Sequence, residues 1–447
     1  MNIYVILFWA LLPVVFAASF ASYIFGKRQG KKIAEALSGK SKNDELPERG
    51  VHTIQKYEMV TVLFADIVGF SEISDSLDPE VLLEELDDFF LYCDKIIDGY
   101  QVEKIKTMGD AYMCAGGIPQ KNYTNPVDVV MMALELQDHQ KKMMEEDPKI
   151  WSLRIGIHTG PVIAGMLGEK KLSFDIWGHT VNVAARVETS CAPGMVTISE
   201  NTYEKIKKYF DCEYNGKVPN TVDEVSSYVV RGLKPGFVTI DDNGNIVTNH
   251  SFFVQMQLLR LVELEEYVVG MMKKKADTLY FHNFEHVMDV YEHVELLARL
   301  ENVEDEDILL LKTAALMHDI GYSIKYDTNI CSVSESIARK YLPDFQYNQK
   351  QIERICVLMK VAHYESKPRG MVEEIMHDAN HMYIGRAEYN KMMMSLLREL
   401  VEHNISVNKN EWFKSRSRRL VNHQFYTKAA KKLVKMFSEQ QISHFEL

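Results

Sequence analysis

Two aspartates stand at the ends of apolar runs, each close to a glycine. Val60–Phe70 reads VTVLFADIVGF, so Asp66 follows a run of strand-forming residues and is trailed by Gly69, where a ligand can approach the backbone. Lys104–Gly117 reads KIKTMGDAYMCAGG, and Asp110 follows Gly109 where a hairpin turn would join two short strands. An aspartate after a strand is usually a turn or cap residue. Two carboxylates at strand ends beside glycines can instead hold hard divalent cations against phosphate oxygens. A second group lies in the C-terminal half: His282 and His286 open a helical run, His318-Asp319 closes another, and His363 and His377-Asp378 follow.

The elements that must position these residues divide the chain in two. Between about Met59 and Ile240 strand and helix signals alternate. Asp78-Pro79 starts a helix, with aspartate as cap and proline in the first turn. Leu82, Leu83, Leu86, Phe89 and Phe90 then recur at helical spacing and are expected to form its core face. Leu153–His158 alternates as a half-buried strand. The order strand–helix–strand–strand–helix–strand predicts a ferredoxin-like α+β domain. Asp241–Asn245 is a turn-rich break, and residues 251–447 read as a separate all-α domain.

The chain has 447 residues, enough for two or three domains, and 46% hydrophobic content suffices for packed cores. A formal net charge of −12 argues against a nucleic-acid partner. The six cysteines show no CxxC spacing and read as reduced, small apolar residues. Met1–Gly26 contains no charged side chain and is long enough for a transmembrane helix. Lys27, Arg28, Lys31 and Lys32 follow at once, which predicts a single-pass membrane protein with its catalytic domains on the cytoplasmic side. The expected organisation is a transmembrane helix (1–26), a linker (27–57), the α+β domain (58–240), a linker (241–250) and the helical domain (251–447).

Three segments, in order, resemble the class III nucleotidyl cyclases. The first is Phe64-Ala65-Asp66-Ile67-Val68-Gly69-Phe70, matching F-x-D-I-x-G-F. The second is Lys106-Thr107-Met108-Gly109-Asp110-Ala111-Tyr112, and the third runs from Phe174 to Arg186. The resemblance implies that Asp66, Asp110 and the backbone carbonyl of Ile67 hold two Mg2+ or Mn2+ ions. It implies that Arg186 stabilises charge developing on the reacting phosphate, that Asn182 positions the ribose, and that Arg231 or Lys234 contacts phosphate. Lys106 and Asp175 occupy the two positions that, by the resemblance, would read the base. A lysine donor with an aspartate acceptor matches adenine, whose N1 accepts and N6 donates, and not guanine. The resemblance thus implies an adenylate cyclase that converts ATP to 3′,5′-cyclic AMP and pyrophosphate for intracellular signalling. Its active sites would be shared across a homodimer.

The C-terminal histidines and aspartates resemble the HD-domain metal-dependent phosphohydrolases. That resemblance implies that His286, His318, Asp319 and Asp378 ligate a divalent metal, a donor set suited to Mn, Fe, Zn or Mg. His282 could then protonate a leaving alkoxide. Relatives often carry a His-Glu pair shortly before a stretch seen here as Ser334–Ala338, where this chain has Ile330-Cys331. The domain would hydrolyse a phosphoester or regulate the cyclase. The alternative is a phosphohydrolase whose cyclase-like domain senses nucleotide.

Overall fold

The computed structural model describes residues 54–146, 151–167, 173–221, 224–275, 277–326, 329–363 and 366–435. It divides into two units, with the boundary between Phe252 and Phe253. The expected transmembrane segment 1–26 lies outside the described residues. Among those that are described, no helix is long and apolar enough to cross a membrane.

The first unit is built on an eight-stranded sheet. Its elements run β1 (Gln55–Ile67), α1 (Phe70–Ser76), α2 (Pro79–Ile97), β2 (Val102–Met108), β3 (Ala111–Gly116), α3 (Asn125–Glu146) and β4 (Leu153–Leu167). There follow β5 (Ser173–Trp177), α4 (His179–Thr189), β6 (Val196–Ser199), α5 (Glu200–Ile206), β7 (Phe210–Lys217) and β8 (Ser226–Leu233). The sheet order is β2-β3-β1-β4-β6-β8-β7, with β5 paired to β4. Its first four strands have the ferredoxin-like arrangement, and all pairs but β4–β6 are antiparallel. A separate hairpin, β9 (Val238–Ile240) and β10 (Ile246–Thr248), is closed by the Asp241–Asn245 turn.

Central placement explains why β1 reads as an almost continuous apolar run. It is paired on both edges, and Val60 to Ala65 are all buried. Val60, Val62 and Phe64 join the cluster that includes Ala184 of α4, while Thr61 turns to the opposite face and bonds Asn125 of α3 at 2.6 Å. Period-two alternation therefore directs Asp66 to the α4 face. The Thr61–Asn125 contact ties α3 to the other face of the same strand.

Helix α2 starts as expected, with the Asp78 carboxylate accepting from Glu80 N–H and Pro79 at the first position. Its expected core face is corrected. Leu83 is 69% exposed, and Leu82, Leu86, Phe89 and Phe90 are only half-buried. The helix enters the core through Cys93, Ile96 and Ile97, near its C-terminal end.

The second unit is helical: α6 (His250–Lys273, entering the unit at Phe253), α7 (Phe284–Leu300), α8 (Asp305–Met317), α9 (Ile330–Tyr341) and α10 (Gln349–Val361). Then come α11 (Met371–His381), α12 (Tyr389–Glu402) and α13 (Lys409–Asn422). Helix α8 is apolar all round because it is central, with every residue from Ile308 to Leu311 and from Thr313 to Met317 buried. A smaller cluster joins Phe281, Tyr383, Leu396 and Leu397 to Trp412 of α13.

Candidate active sites

In the first unit, strand register sets the geometry. Ala65 of β1 pairs with Tyr112 of β3, which brings Asp66 and Asp110 to the same end of the sheet. Gly109 makes the intervening β2–β3 turn possible at φ +65°. Burial raises the Asp110 pKa, and the neighbouring Asp66 carboxylate raises it further. A divalent cation would relieve the cost of the Asp110 charge beside Asp66, and two neighbouring carboxylates are hard oxygen donors, so Asp66 and Asp110 fit a Mg2+ or Mn2+ site.

Sequence reasoning missed Arg154. It lies opposite Asp66 in the β1–β4 ladder, and its guanidinium reaches the Asp66 carboxylate at 2.6 Å and also pairs with Glu188. Gly156 lets α4 close on β4, since a Cβ there would lie 2.0 Å from Glu188 N. The alternation of Leu153–His158 is the only sequence signal, an arginine at a half-buried strand position.

The base-reading candidates meet directly. Lys106 Nζ of β2 lies 2.7 Å from Asp175 Oδ2 of β5. The Asp175 carboxylate also accepts from the Ile176 N–H at 2.8 Å. Asn182 and Arg186 lie one turn apart on α4, and Arg186 donates to the Asn220 carbonyl. Arg231 reaches Glu213 at 2.6 Å, whereas Lys234 donates to the Lys207 carbonyl at 2.6 Å. None of Asn182, Arg186 or Arg231 pairs with Asp66 or Asp110 among the described residues. Among the described residues, the aspartate pair and the residues Asn182, Arg186 and Arg231 therefore have different partners.

In the second unit one group of three potential metal ligands comes together among the described residues: His286, His318 and Asp319, whose ligand atoms all lie within 4.8 Å of one another. Asn283 caps α7 and sets His286 in its first turn. His318 ends α8, and its Nδ1–H donates to the Ala315 carbonyl at 2.7 Å, which turns Nε2 toward Asp319 at 3.2 Å. That Nε2 is buried and, beside Asp319, turned into the group. Burial works against the Asp319 charge, but His318, His282 and His286 hold its carboxyl well below the usual range. Burial lowers His286 to about 4, so it is neutral and able to ligate. Two buried imidazoles converging on a buried carboxylate fit a divalent metal.

Asp378 is not brought to this group. Its carboxylate accepts from the backbone N–H groups of Tyr426 and Thr427 and from the Thr427 hydroxyl at 2.8–3.1 Å, tying the segment after α13 to α11. Two helical steps turn the side chain by about 200°, and from α11 it is Asn380, with His381, that lines the cleft. Its Nδ2 donates to the Ala362 carbonyl, and its Oδ1 is buried without a partner.

His282 Nδ1 meets Glu399 Oε1 at 2.5 Å. Glu399 is fully buried and also accepts from the N–H groups of Phe281 and His282 and from the Tyr326 hydroxyl. Sequence offered no route to this partner, which lies 117 residues away on the face of an ordinary amphipathic helix. His282, His286, Asp319, Cys331, His363 and Asn380 line one cleft of about 680 Å3. Burial pushes the Cys331 thiol up to about 11, so it stays protonated.

The comparisons with known proteins fall on the same two units. Residues 52–232 match the family model "Adenylate and Guanylate cyclase catalytic domain", and residues 283–401 match "HD domain". The chain therefore carries a class III adenylate/guanylate cyclase catalytic domain and, after it, an HD domain. Among curated proteins it is similar to an adenylate cyclase of Mycobacterium tuberculosis, 34% identical over 172 residues, which are 38% of this chain and 39% of the relative. A membrane guanylyl cyclase of Dictyostelium discoideum is 35% identical over 158 residues, 35% of this chain and 11% of the relative. The match thus spans well under half the length of either relative. A guanylyl cyclase domain from the aquatic fungus Blastocladiella emersonii, known as a solved structure, is 31% identical over 40% of this chain and 99% of its own, with a TM-score of 0.38.

Proposed function

We propose that the protein is an adenylate cyclase that forms 3′,5′-cyclic AMP and pyrophosphate from ATP in sites shared across a homodimer. The observation that carries the choice of ATP is the Lys106–Asp175 pair at 2.7 Å. A fixed ammonium donor beside a fixed carboxylate acceptor complements adenine N1 and N6. Guanine would leave both groups facing a like partner, and unsatisfied polar groups discriminate strongly.

Divalent cations held by Asp66, Asp110 and the Ile67 carbonyl would acidify the 3′-hydroxyl and neutralise the triphosphate. Arg154, beside Asp66, offers its guanidinium to a triphosphate oxygen. From the partner subunit, Arg186 donates to the α-phosphate as charge builds there, Asn182 orients the ribose, and Arg231 takes an outer phosphate oxygen. That Asn182, Arg186 and Arg231 make no pair with Asp66 or Asp110 among the described residues supports the shared-site reading. So does the exposed apolar surface of α2, where Val81, Leu83 and Leu91 are 44%, 69% and 48% exposed. The uncharged segment 1–26 anchors the chain in a membrane with residues 58–240 and 251–447 on the cytoplasmic side.

The HD unit is read as a phosphoester site. His286, His318 and Asp319 would hold a divalent metal that supplies Lewis-acid polarisation of a phosphoryl oxygen. Glu399 accepts a hydrogen bond from the Nδ1–H of His282, which leaves Nε2 to serve the cleft as the proton-transfer atom. A phosphohydrolase whose cyclase-like unit senses nucleotide is the second reading, favoured by the assembled HD triad. Assay of the full chain with ATP and with GTP, using Asp66→Ala as control, separates the two. Cyclic AMP formed from ATP and lost in Asp66→Ala supports the cyclase, and nucleotide binding without any cyclic product overturns it.

A further inference from the structure

Charge is unevenly distributed along the chain. The whole sequence has a formal net charge of −12, yet residues 409–435 hold nine lysines and arginines against a single acidic residue, Glu411. Five of the nine lie on α13, at Lys409, Lys414, Arg416, Arg418 and Arg419. A basic helix on its own is an ordinary solvated surface. Three large apolar side chains set this one apart, since Phe413, Leu420 and Val421 are 44%, 44% and 81% exposed.

Packing fixes which face of α13 looks outward. Asn408 caps the helix, and Trp412 is buried in the cluster with Phe281, Tyr383 and Leu396. The Tyr389 hydroxyl donates to the Arg416 carbonyl at 2.9 Å, which ties the helix to α12. At about 100° per residue, Phe413, Leu420 and Val421 share an arc of about 100° turned away from Trp412. Lys409 lies on one flank of that arc, and Lys414 and Arg418 lie on the other. All six side chains are exposed. The Lys414–Glu411 pair is long, at 4.0 Å, and open to solvent, while Lys409 and Arg418 pair with no carboxylate among the described residues. The next helical turns follow the same plan. Ala429 and Ala430 are buried in the main core of the unit, and Lys428, Lys431, Lys432 and Lys435 are exposed.

We propose that the outer face of α13 docks on an anionic lipid surface, with Phe413, Leu420 and Val421 entering the boundary between headgroups and acyl chains and Lys409, Lys414 and Arg418 reaching the lipid phosphates. Charge complementarity selects the partner. A basic face is drawn to a negatively charged leaflet, and each lysine or arginine near such a surface strengthens binding by about fivefold. Lysine and arginine suit this position, because their stems lie along apolar surface while the charged ends stay among the headgroups. The apolar arc favours lipid over nucleic acid. A phosphate backbone offers Leu420 and Val421 nothing to enter, whereas the acyl boundary takes them out of water. This contact is separate from segment 1–26 and stands without it.

The test is lysine footprinting, by acetylation and mass spectrometry, of the full chain mixed with vesicles. One arm uses phosphatidylcholine alone and the other phosphatidylcholine with phosphatidylglycerol. Residues 1–26 are common to both arms, so a difference between them reads lipid charge. Lys409 and Lys414 should be acetylated about fivefold or more slowly with the anionic vesicles. Lys350, exposed at the start of α10, should be labelled equally in both. High salt should remove the difference. Arg418→Glu should weaken the protection severalfold, and Leu420→Ser/Val421→Ser should weaken it without changing charge, each with an unaltered unfolding midpoint. Equal labelling of Lys409 and Lys414 in the two arms overturns the proposal. Equal protection by a duplex oligonucleotide without vesicles, insensitive to Leu420→Ser/Val421→Ser, would make the face a nucleic-acid surface and overturns the lipid assignment.

Discussion

Arg154 and Asp66 are directly paired across the β1–β4 ladder, and their side chains close a 2.6 Å ion pair that Glu188 extends from α4. Both members are mostly shielded, at 31% and 14% side-chain exposure, so removing the cation leaves two carboxylates uncompensated. Arg154→Gln is expected to lower unfolding stability by about 1–3 kcal/mol in urea titrations without added metal. It should also lower cyclase kcat/KM by at least about tenfold. Wild-type kcat/KM in this variant would remove Arg154 from the site.

The proposed choice of ATP rests on Lys106 and Asp175. Lys106→Glu with Asp175→Cys should weaken the use of ATP and admit GTP, read as the ratio of cyclic AMP to cyclic GMP formed. An unchanged ATP preference in the double variant would refute the adenine assignment.

The proposed sharing of sites across a homodimer makes a prediction about mixtures. Asp66→Ala and Arg186→Ala chains should each be inactive alone. Mixed, they should recover partial activity, because one of the two sites in a heterodimer carries both intact groups. No recovery, with dimers present by sedimentation, would place the whole site in one subunit.

Asp378 and His318 should part company in the HD unit. His318→Ala is expected to abolish Mn2+ binding, measured by electron paramagnetic resonance. Asp378→Ala removes the acceptor for Tyr426 and Thr427 and should cost about 1–3 kcal/mol of stability while Mn2+ still binds. Lost Mn2+ binding in a folded Asp378→Ala chain would return Asp378 to the ligand set.

Glu399 links the fold to pH. Burial alone would raise its pKa, but the hydrogen bonds and charge of His282, with the backbone N–H groups of Phe281 and His282, lower it below the usual value. A depressed carboxylate stabilises the fold above its unfolded pKa, and that contribution is lost as pH falls through the folded value. The stability advantage of the parent over Glu399→Gln should therefore be full at pH 7 and shrink progressively below about pH 4.3. An advantage independent of pH in thermal melts would show that Glu399 acts only by packing.

Local chemistry made much of this legible in the chain itself. Asp78-Pro79 announces α2, the alternation of Leu153–His158 announces a strand, and the spacing around Asp66 and Asp110 places both at strand ends. Such signals depend on neighbours a few residues away, and period and capping are properties of short segments. The apolar spacing of α2 misled about Leu83 because periodicity reports which residues are apolar, not which surface covers them.

The sequence by itself determined the strand and helix order, the aspartate pair, the Lys106 and Asp175 residue types and the histidines of the helical unit. Tertiary structure alone decided the pairings that span long separations: Arg154 with Asp66 over 88 residues and His282 with Glu399 over 117. It also decided that Asn380, and not Asp378, faces the HD cleft, and that α13 turns Arg416 and Arg419 into it. The physical reason is common to all of these. Strand register and helix rotation set where a side chain points, and both are settled by packing between distant segments, which no local pattern encodes.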